Sequence, residues 1–258
     1  MALPLAQGKL PAGALPVLAS CSVILIVTAA GVASRFDFHS AVFFFAFVAW
    51  GATASIVLYG LRSYPLNRFG PANTVTSVRA VATAVLASLI PVAGELQLHN
   101  NSYSMWFVCL FALFILALDG LDGYLARRSK TQTDFGARFD METDAFLALI
   151  IALIVWQSGK LGAWILLLGI VRYVFVLASL KLVSLQGELY PSLRRKAICV
   201  VQISALCVLL CPWIHSELAL VIGLIALVCL LGSFLRDILW LLRNNQSTGV
   251  NNDRLKPV

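Results

Sequence analysis

The sequence predicts an all-α, polytopic membrane helix bundle, and three observations carry that expectation. Hydrophobic residues make up 60% of the 258 positions and charged residues only 12%, against roughly 25% charge in soluble domains. The mean hydropathy is +0.89. Apolar runs of about 20 residues, long enough to cross a bilayer, recur almost end to end and lack the alternation that a membrane β-barrel shows in segments of about 10 residues.

These runs predict eight spans, near residues 13–33, 41–61, 74–94, 103–126, 141–158, 161–183, 196–214 and 217–241. The first ends in "AAGVAS", which has the small residues of a signal cleavage site, but its run is longer than a usual signal h-region and its flank, Lys9, is weak. It reads as a retained helix. The second closes a hairpin and is followed by "LRSYPLNRFGPAN", where Pro65, Gly70 and Pro71 interrupt any continuous helix. A boundary near residue 66 therefore separates an N-terminal transmembrane hairpin (1–66) from a core (67–243). Arg62, Tyr64, Leu66, Arg68 and Phe69 fit either a short surface-lying helix or an ordinary loop. The third span follows this stretch, the fourth contains "SMWFVCLFALFILA", and the fifth begins inside an acidic window. Arg172 falls within the sixth, "SLRRKA" opens the seventh, and the eighth leads into a polar tail (244–258) with few apolar anchors, which is expected to be disordered.

The net charge of +7 raises the question of nucleic acid, but the cations sort by loop, as membrane topology predicts. Arg62, Arg68, Arg127, Arg128, Lys130, Arg138, Lys181, Arg194, Arg195, Lys196, Arg236, Arg243, Arg254 and Lys256 fall at alternate span ends, and the opposite ends hold only Arg35 and Lys160. This puts the basic ends and both termini in the cytoplasm and leaves no nucleic-acid partner to explain. Cys21, Cys109, Cys199, Cys207, Cys211 and Cys229 lack CxxC spacing and read as small core hydrophobes.

Of the twelve Asp and Glu residues, Asp119, Asp122, Asp134, Asp140, Glu142 and Asp144 lie in one window, "LDGLDGYLARRSKTQTDFGARFDMETD". Asp119 and Asp122 are three apart at the end of one helix, and Asp140 and Asp144 are four apart at the start of the next, so each pair shares a helical face. An antiparallel hairpin brings the four carboxylates together, where they repel unless a cation compensates. All-oxygen ligation without His or Cys suits Mg²⁺ or Mn²⁺, and two such ions clamp a phosphoryl centre. Asp134, Arg128 and Lys130 read as a solvated loop, whereas the four Asp residues sit flush with apolar spans, where ionisable groups are costly and functional by default. Gly120 and Gly123 fit either close approach of a ligand or small-residue helix packing. Arg127 lies on the same face as Gly123 and offers a planar fork for phosphate.

At these residues the chain resembles the CDP-alcohol phosphotransferase (CDP-alcohol phosphatidyltransferase) family, whose signature D-x2-D-G-x2-A-R-x8-G-x3-D-x3-D is met at Asp119, Asp122, Gly123, Ala126, Arg127, Gly136, Asp140 and Asp144. The upstream "NTVTSVR" resembles the segment that opens the family's first core helix. The resemblance implies a six-helix core from about residue 72 to 243, a homodimer, and two metal ions held by Asp119, Asp122 and Asp140 against the CDP diphosphate. It further implies that Asp144 helps to hold the second ion and deprotonates the acceptor hydroxyl, that Gly123, Ala126 and Gly136 admit the cytidine, and that Arg127 contacts the diphosphate. Asn73, Thr76 and Arg79 carry over as nucleotide or phosphate contacts.

His39, His99 and His215 fall at external ends, so no His-based site competes for the base role at the acid window. Arg172, beside Tyr173, fits a phosphate contact or a structural ion pair with an acid of the cluster. Arg194, Arg195 and Lys196 fit an acceptor phosphate or a lipid-facing basic patch. The expected activity is transfer of a phosphatidyl group from CDP-diacylglycerol to a small alcohol with release of CMP, and the CDP-choline or CDP-ethanolamine:diacylglycerol direction is the alternative on the same signature. An ion- or proton-coupled transporter is the reading of another class, but its acids belong at the membrane midplane rather than clustered at one face.

Overall fold

The structure, a computed structural model, describes residues 11–35, 39–61, 68–98, 102–129, 133–181 and 193–253. They form α1 (Ala14–Ala33), α2 (His39–Leu61), α3 (Pro71–Ala87), α4 (Ala93–Leu98), α5 (Ser102–Arg128), α6 (Asp134–Gln157), α7 (Leu167–Lys181), α8 (Leu193–Leu210) and α9 (Ser216–Asp253), with 3₁₀ turns at Ile90–Val92 and Ala163–Leu166. There is no strand among the described residues, only an isolated bridge between Ala12 and Arg68. The segment 62–67, where the sequence allows a surface helix, lies outside the described residues.

Local chemistry sets the ends of the helices that carry the acids. Pro71 occupies the first turn of α3, where its missing N–H costs nothing. Pro91 lies in the 3₁₀ turn that separates α3 from α4. Thr133 caps α6, its Oγ1 accepting from the Gly136 N–H at 3.0 Å. Beyond α6, Gly159 takes φ +73°, a left-handed conformation that closes many helices.

Each expected span is largely helical here, though the third breaks at Ala87 into a 3₁₀ turn and α4, and the sixth opens in a 3₁₀ turn. Among the described residues, six stretches are long and apolar enough to cross a membrane: Ala14–Ala33, Ser40–Leu61, Pro71–Leu96, Ser104–Leu125, Ala163–Lys181 and Ser216–Leu241. α6 and α8 stay outside that set because α6 opens with its acids and α8 with Arg194, Arg195 and Lys196. α9 continues to Asp253, past residue 243 where a disordered tail is expected. No proline stands between Arg243 and Asp253, so nothing interrupts the backbone ladder.

α3 lies at the centre, packed on α1, α2, α5 and α6, while α8 packs on α5, α6 and α9, and α7 on α6 and α9. Ala80, Ala84 and Ala87 are buried on α3, and such small residues let neighbouring backbones approach closely. Phe44, Phe107, Val228 and Leu235 point outward, as lipid-facing positions should. The N-terminal hairpin joins the core through the Cys21 thiol, which donates to the Ser77 carbonyl at 3.8 Å, and through the Phe69 N–H, which donates to the Ala12 carbonyl at 3.0 Å. Within the hairpin, Trp50 Nε1 donates to Ser22 Oγ at 2.9 Å. α2 also reaches the acid-bearing helix, because the ring of Phe135 occupies the space a side chain at Gly60 would need.

The α6–α7 contact yields a stability test. A Cβ at Gly169 would stand 2.5 Å from the Leu149 Cα, a backbone atom that cannot swing aside. Gly169→Ala is therefore expected to force the two helices apart and cost about 1–3 kcal/mol, read as a lower unfolding midpoint in detergent. An unchanged midpoint would contradict the packing.

Candidate active site

The site is assembled where three helices meet. α5 presents Asp119 and Asp122 near its end, α6 presents Asp140 and Asp144 in its opening turns, and α3 supplies Thr76 and Arg79 from between them. Asp119 and Asp122 are buried, and Asp140 and Asp144 are half-buried.

Arg79, 0% exposed, holds the cluster together. Its Nη1 lies 3.3 Å from Asp119 Oδ1, 2.7 Å from Asp122 Oδ2 and 2.6 Å from Asp140 Oδ1. Its Nη2 donates to Asp144 Oδ1. Thr76 Oγ1 adds a donor to Asp122 Oδ2 at 3.1 Å. Thr76 and Arg79, expected as nucleotide or phosphate contacts, both face the acids. Buried charge dictates this arrangement, since four carboxylates near an apolar boundary need a counter-charge and the guanidinium is the nearest.

The donor set fits a divalent cation. Carboxylate oxygens of Asp119, Asp140 and Asp144 lie within 4.8 Å of one another, with no thiol or imidazole in the group. Asp119 Oδ1, 3.3 Å from the Arg79 guanidinium, is buried without a hydrogen bond among the described residues, which suits an oxygen that ligates a cation.

Other expected residues divide. A Cβ at Gly136 would lie 3.0 Å from Asn73 Oδ1 and 3.2 Å from Thr133 Oγ1, so a larger residue there would press on the buried Asn73 side chain and the helix cap. Gly123 is half-buried. Nothing lies within 4 Å of a Cβ built on Gly120, so packing within the chain does not explain that glycine. The side chains of Ala126 and Arg127 lie outside the described residues.

Beside the acids opens a cavity of about 570 Å³. Asp140 and Asp144 line one side, Arg172, Arg195 and Lys196 contribute cations, and Leu168, Phe175 and Phe234 add an apolar wall. Arg172 Nη2 pairs with Glu142 Oε1 at 2.5 Å, which is the ion-pair reading of Arg172 with a partner that lies between Asp140 and Asp144 in sequence but outside the main cluster. Its Nε is buried with no hydrogen-bond partner among the described residues. Arg194 turns instead to α9, with Nη2 2.7 Å from Asp237 Oδ1 and Nη1 3.4 Å from Ser233 Oγ. Sequence reasoning missed Asp237 and Gln202, both of which line the cavity. An acid inside the apolar run of α9 is the signal that would have flagged Asp237.

The chain matches the CDP-alcohol phosphatidyltransferase family over residues 69–232, more than half its length, and it belongs to that family. The family is a class of transferases that move substituted phosphate groups between CDP-linked alcohols and their acceptors, and with six apolar helices the chain is an integral multi-pass membrane protein. Cholinephosphotransferase 1 of Homo sapiens is 30% identical over 116 residues, which cover 45% of this chain and 24% of that protein. The similarity thus spans about a quarter of the relative's length. No solved structure matches the chain.

The burial of Arg79 among four acids makes stability cation-dependent in a variant. Arg79→Ala leaves the carboxylates uncompensated, and losing one side of a buried ion pair costs about 3–5 kcal/mol. The variant's unfolding midpoint in detergent should fall sharply in EDTA and recover with Mn²⁺, while the parent chain responds less. Equal responses would contradict the role given to Arg79.

Proposed function

We propose that the chain transfers a phosphatidyl group from CDP-diacylglycerol to a small alcohol bearing an anionic group, releasing CMP at the cytoplasmic leaflet. The observation that carries this reading is the cavity that unites Asp140 and Asp144 with Arg172, Arg195 and Lys196. Cations within reach of the reacting carboxylates suit an acceptor that carries phosphate, and the apolar wall suits a lipid-borne donor.

Asp144 accepts the proton of the acceptor hydroxyl as its oxygen bonds to the phosphatidyl phosphorus and the bond to CMP breaks. Asp119, Asp122, Asp140 and Asp144 would hold two Mg²⁺ or Mn²⁺ ions, which supply charge neutralisation for the diphosphate. Asn73, Thr76, Arg79, Gly123, Ala126, Arg127 and Gly136 serve the CDP moiety, as the family resemblance implies. Arg194, paired with Asp237, orients the basic end of α8 beside Arg195 and Lys196. The loop distribution of Lys and Arg supports a cytoplasmic site, and the family resemblance supports a homodimer.

A second reading, transfer from CDP-choline or CDP-ethanolamine to diacylglycerol, is favoured by one observation, the similarity to human cholinephosphotransferase 1. The two separate in one assay. Purified protein in detergent with Mg²⁺ is given CDP-diacylglycerol and single acceptor alcohols, and CMP is measured. Release with a phosphate-bearing acceptor, abolished by EDTA, is expected. Release only from CDP-choline and diacylglycerol would overturn the first reading in favour of the second.

Two substitutions refine it. Asp144→Asn should lower turnover by about 10²–10⁴-fold while sparing nucleotide binding. Replacing Arg195 and Lys196 with Ala should raise the acceptor KM about tenfold or more with the donor KM unchanged. An effect confined to the donor would move these cations out of the acceptor site.

A further inference from the structure

At the end of the bundle remote from the acids, two cysteines come closer than ordinary packing brings them. Cys109 precedes Asp119 on α5 by ten residues, about 15 Å at 1.5 Å per residue. Cys211 follows the last residue of α8, at the opposite end from Arg194, Arg195 and Lys196. Their Sγ atoms are 2.9 Å apart, inside the ~3.5–4.0 Å at which even non-bonded carbons sit and about 0.9 Å beyond a covalent S–S bond.

The surroundings hold this geometry in place. The Cys109 thiol also lies 3.4 Å from the Cys207 carbonyl. Lys160 Nζ donates to the carbonyls of Leu209 and Cys211 at 2.9 and 2.7 Å, setting a positive charge beside Cys211. Trp106 and Trp213 meet edge to face, with centroids 5.7 Å apart, and clamp the same two segments. Tryptophan is enriched at membrane interfaces, and the distribution of basic residues puts this end outside the cytoplasm, where disulfides persist. Cys109 is fully buried, whereas Cys211 is half-exposed, which gives the pair one accessible and one enclosed thiol.

We propose that Cys109 and Cys211 are a disulfide-forming pair that staples α5, which carries Asp119 and Asp122, to α8, which lines the cavity. The oxidant is a small-molecule disulfide. The Cys211 thiolate, the more accessible of the two, attacks one sulfur of the reagent, whose S–S bond breaks and expels one thiolate. The Cys109 thiolate then attacks the Cys211 sulfur and expels the second. The two protein thiols lose two electrons and two protons, which leave with the reagent as two thiols. The inference does not depend on which CDP-linked donor the enzyme uses.

The test uses the full chain in detergent, incubated with oxidised glutathione, acid-quenched, denatured and alkylated with N-ethylmaleimide before peptide mass spectrometry. The expected result is one peptide pair joined through Cys109 and Cys211, lighter by two hydrogens, with the label on Cys21, Cys199, Cys207 and Cys229. Cys109→Ser should leave Cys211 as a mixed disulfide with glutathione. Label on all six thiols of the parent chain, or a link through Cys207 in place of Cys211, would overturn the proposal. The parent-chain result decides even if the variant does not fold.

Discussion

The structure depends on the placement of one guanidinium among four carboxylates. Asp119, Asp122, Asp140 and Asp144 come from two helices that would be driven apart by like charge, and Arg79 reaches all four from a third. A buried ion pair stabilises little against an apolar alternative, yet it becomes costly once a partner is lost. The cluster is therefore tolerable only as a complete set, or with a cation taking up charge in its place. That requirement fixes α3 between α5 and α6 and explains why its buried face consists largely of alanine, serine and threonine.

The same requirement gives a physical role to the two helices outside the region of family similarity. α1 and α2 both pack on α3, so the helix that carries Arg79 is largely enclosed by protein rather than lipid. α2 goes further, with Gly60 receiving the ring of Phe135 next to Gly136, which sits close against Asn73 and the α6 cap. The hairpin thus contacts the signature segment and is more than added surface.

Much of the fold was legible because the apolar runs are long and the acids few. Eight helices follow from length and hydropathy, and the four Asp residues follow from spacings that put each pair on one face. The partners were not legible. Arg79, in the upstream segment, is expected to contact nucleotide or phosphate, and nothing in "NTVTSVR" says that its side chain also pairs with Asp122, forty-three positions away. Arg172 finds Glu142, and Arg194 finds Asp237, through helix packing that local sequence does not encode. α9 runs on to Asp253 through the polar segment for which composition alone predicts disorder.

The central claim is that the carboxylate cluster is a divalent-cation site whose charge Arg79 balances. Electron paramagnetic resonance of Mn²⁺ titrated into the purified chain in detergent tests it most directly, comparing the parent with the Asp119→Asn, Asp140→Asn double variant. The account predicts saturable binding by the parent and its loss in the variant. Mn²⁺ binding that is absent in the parent, or unchanged when both acids are removed, would contradict it.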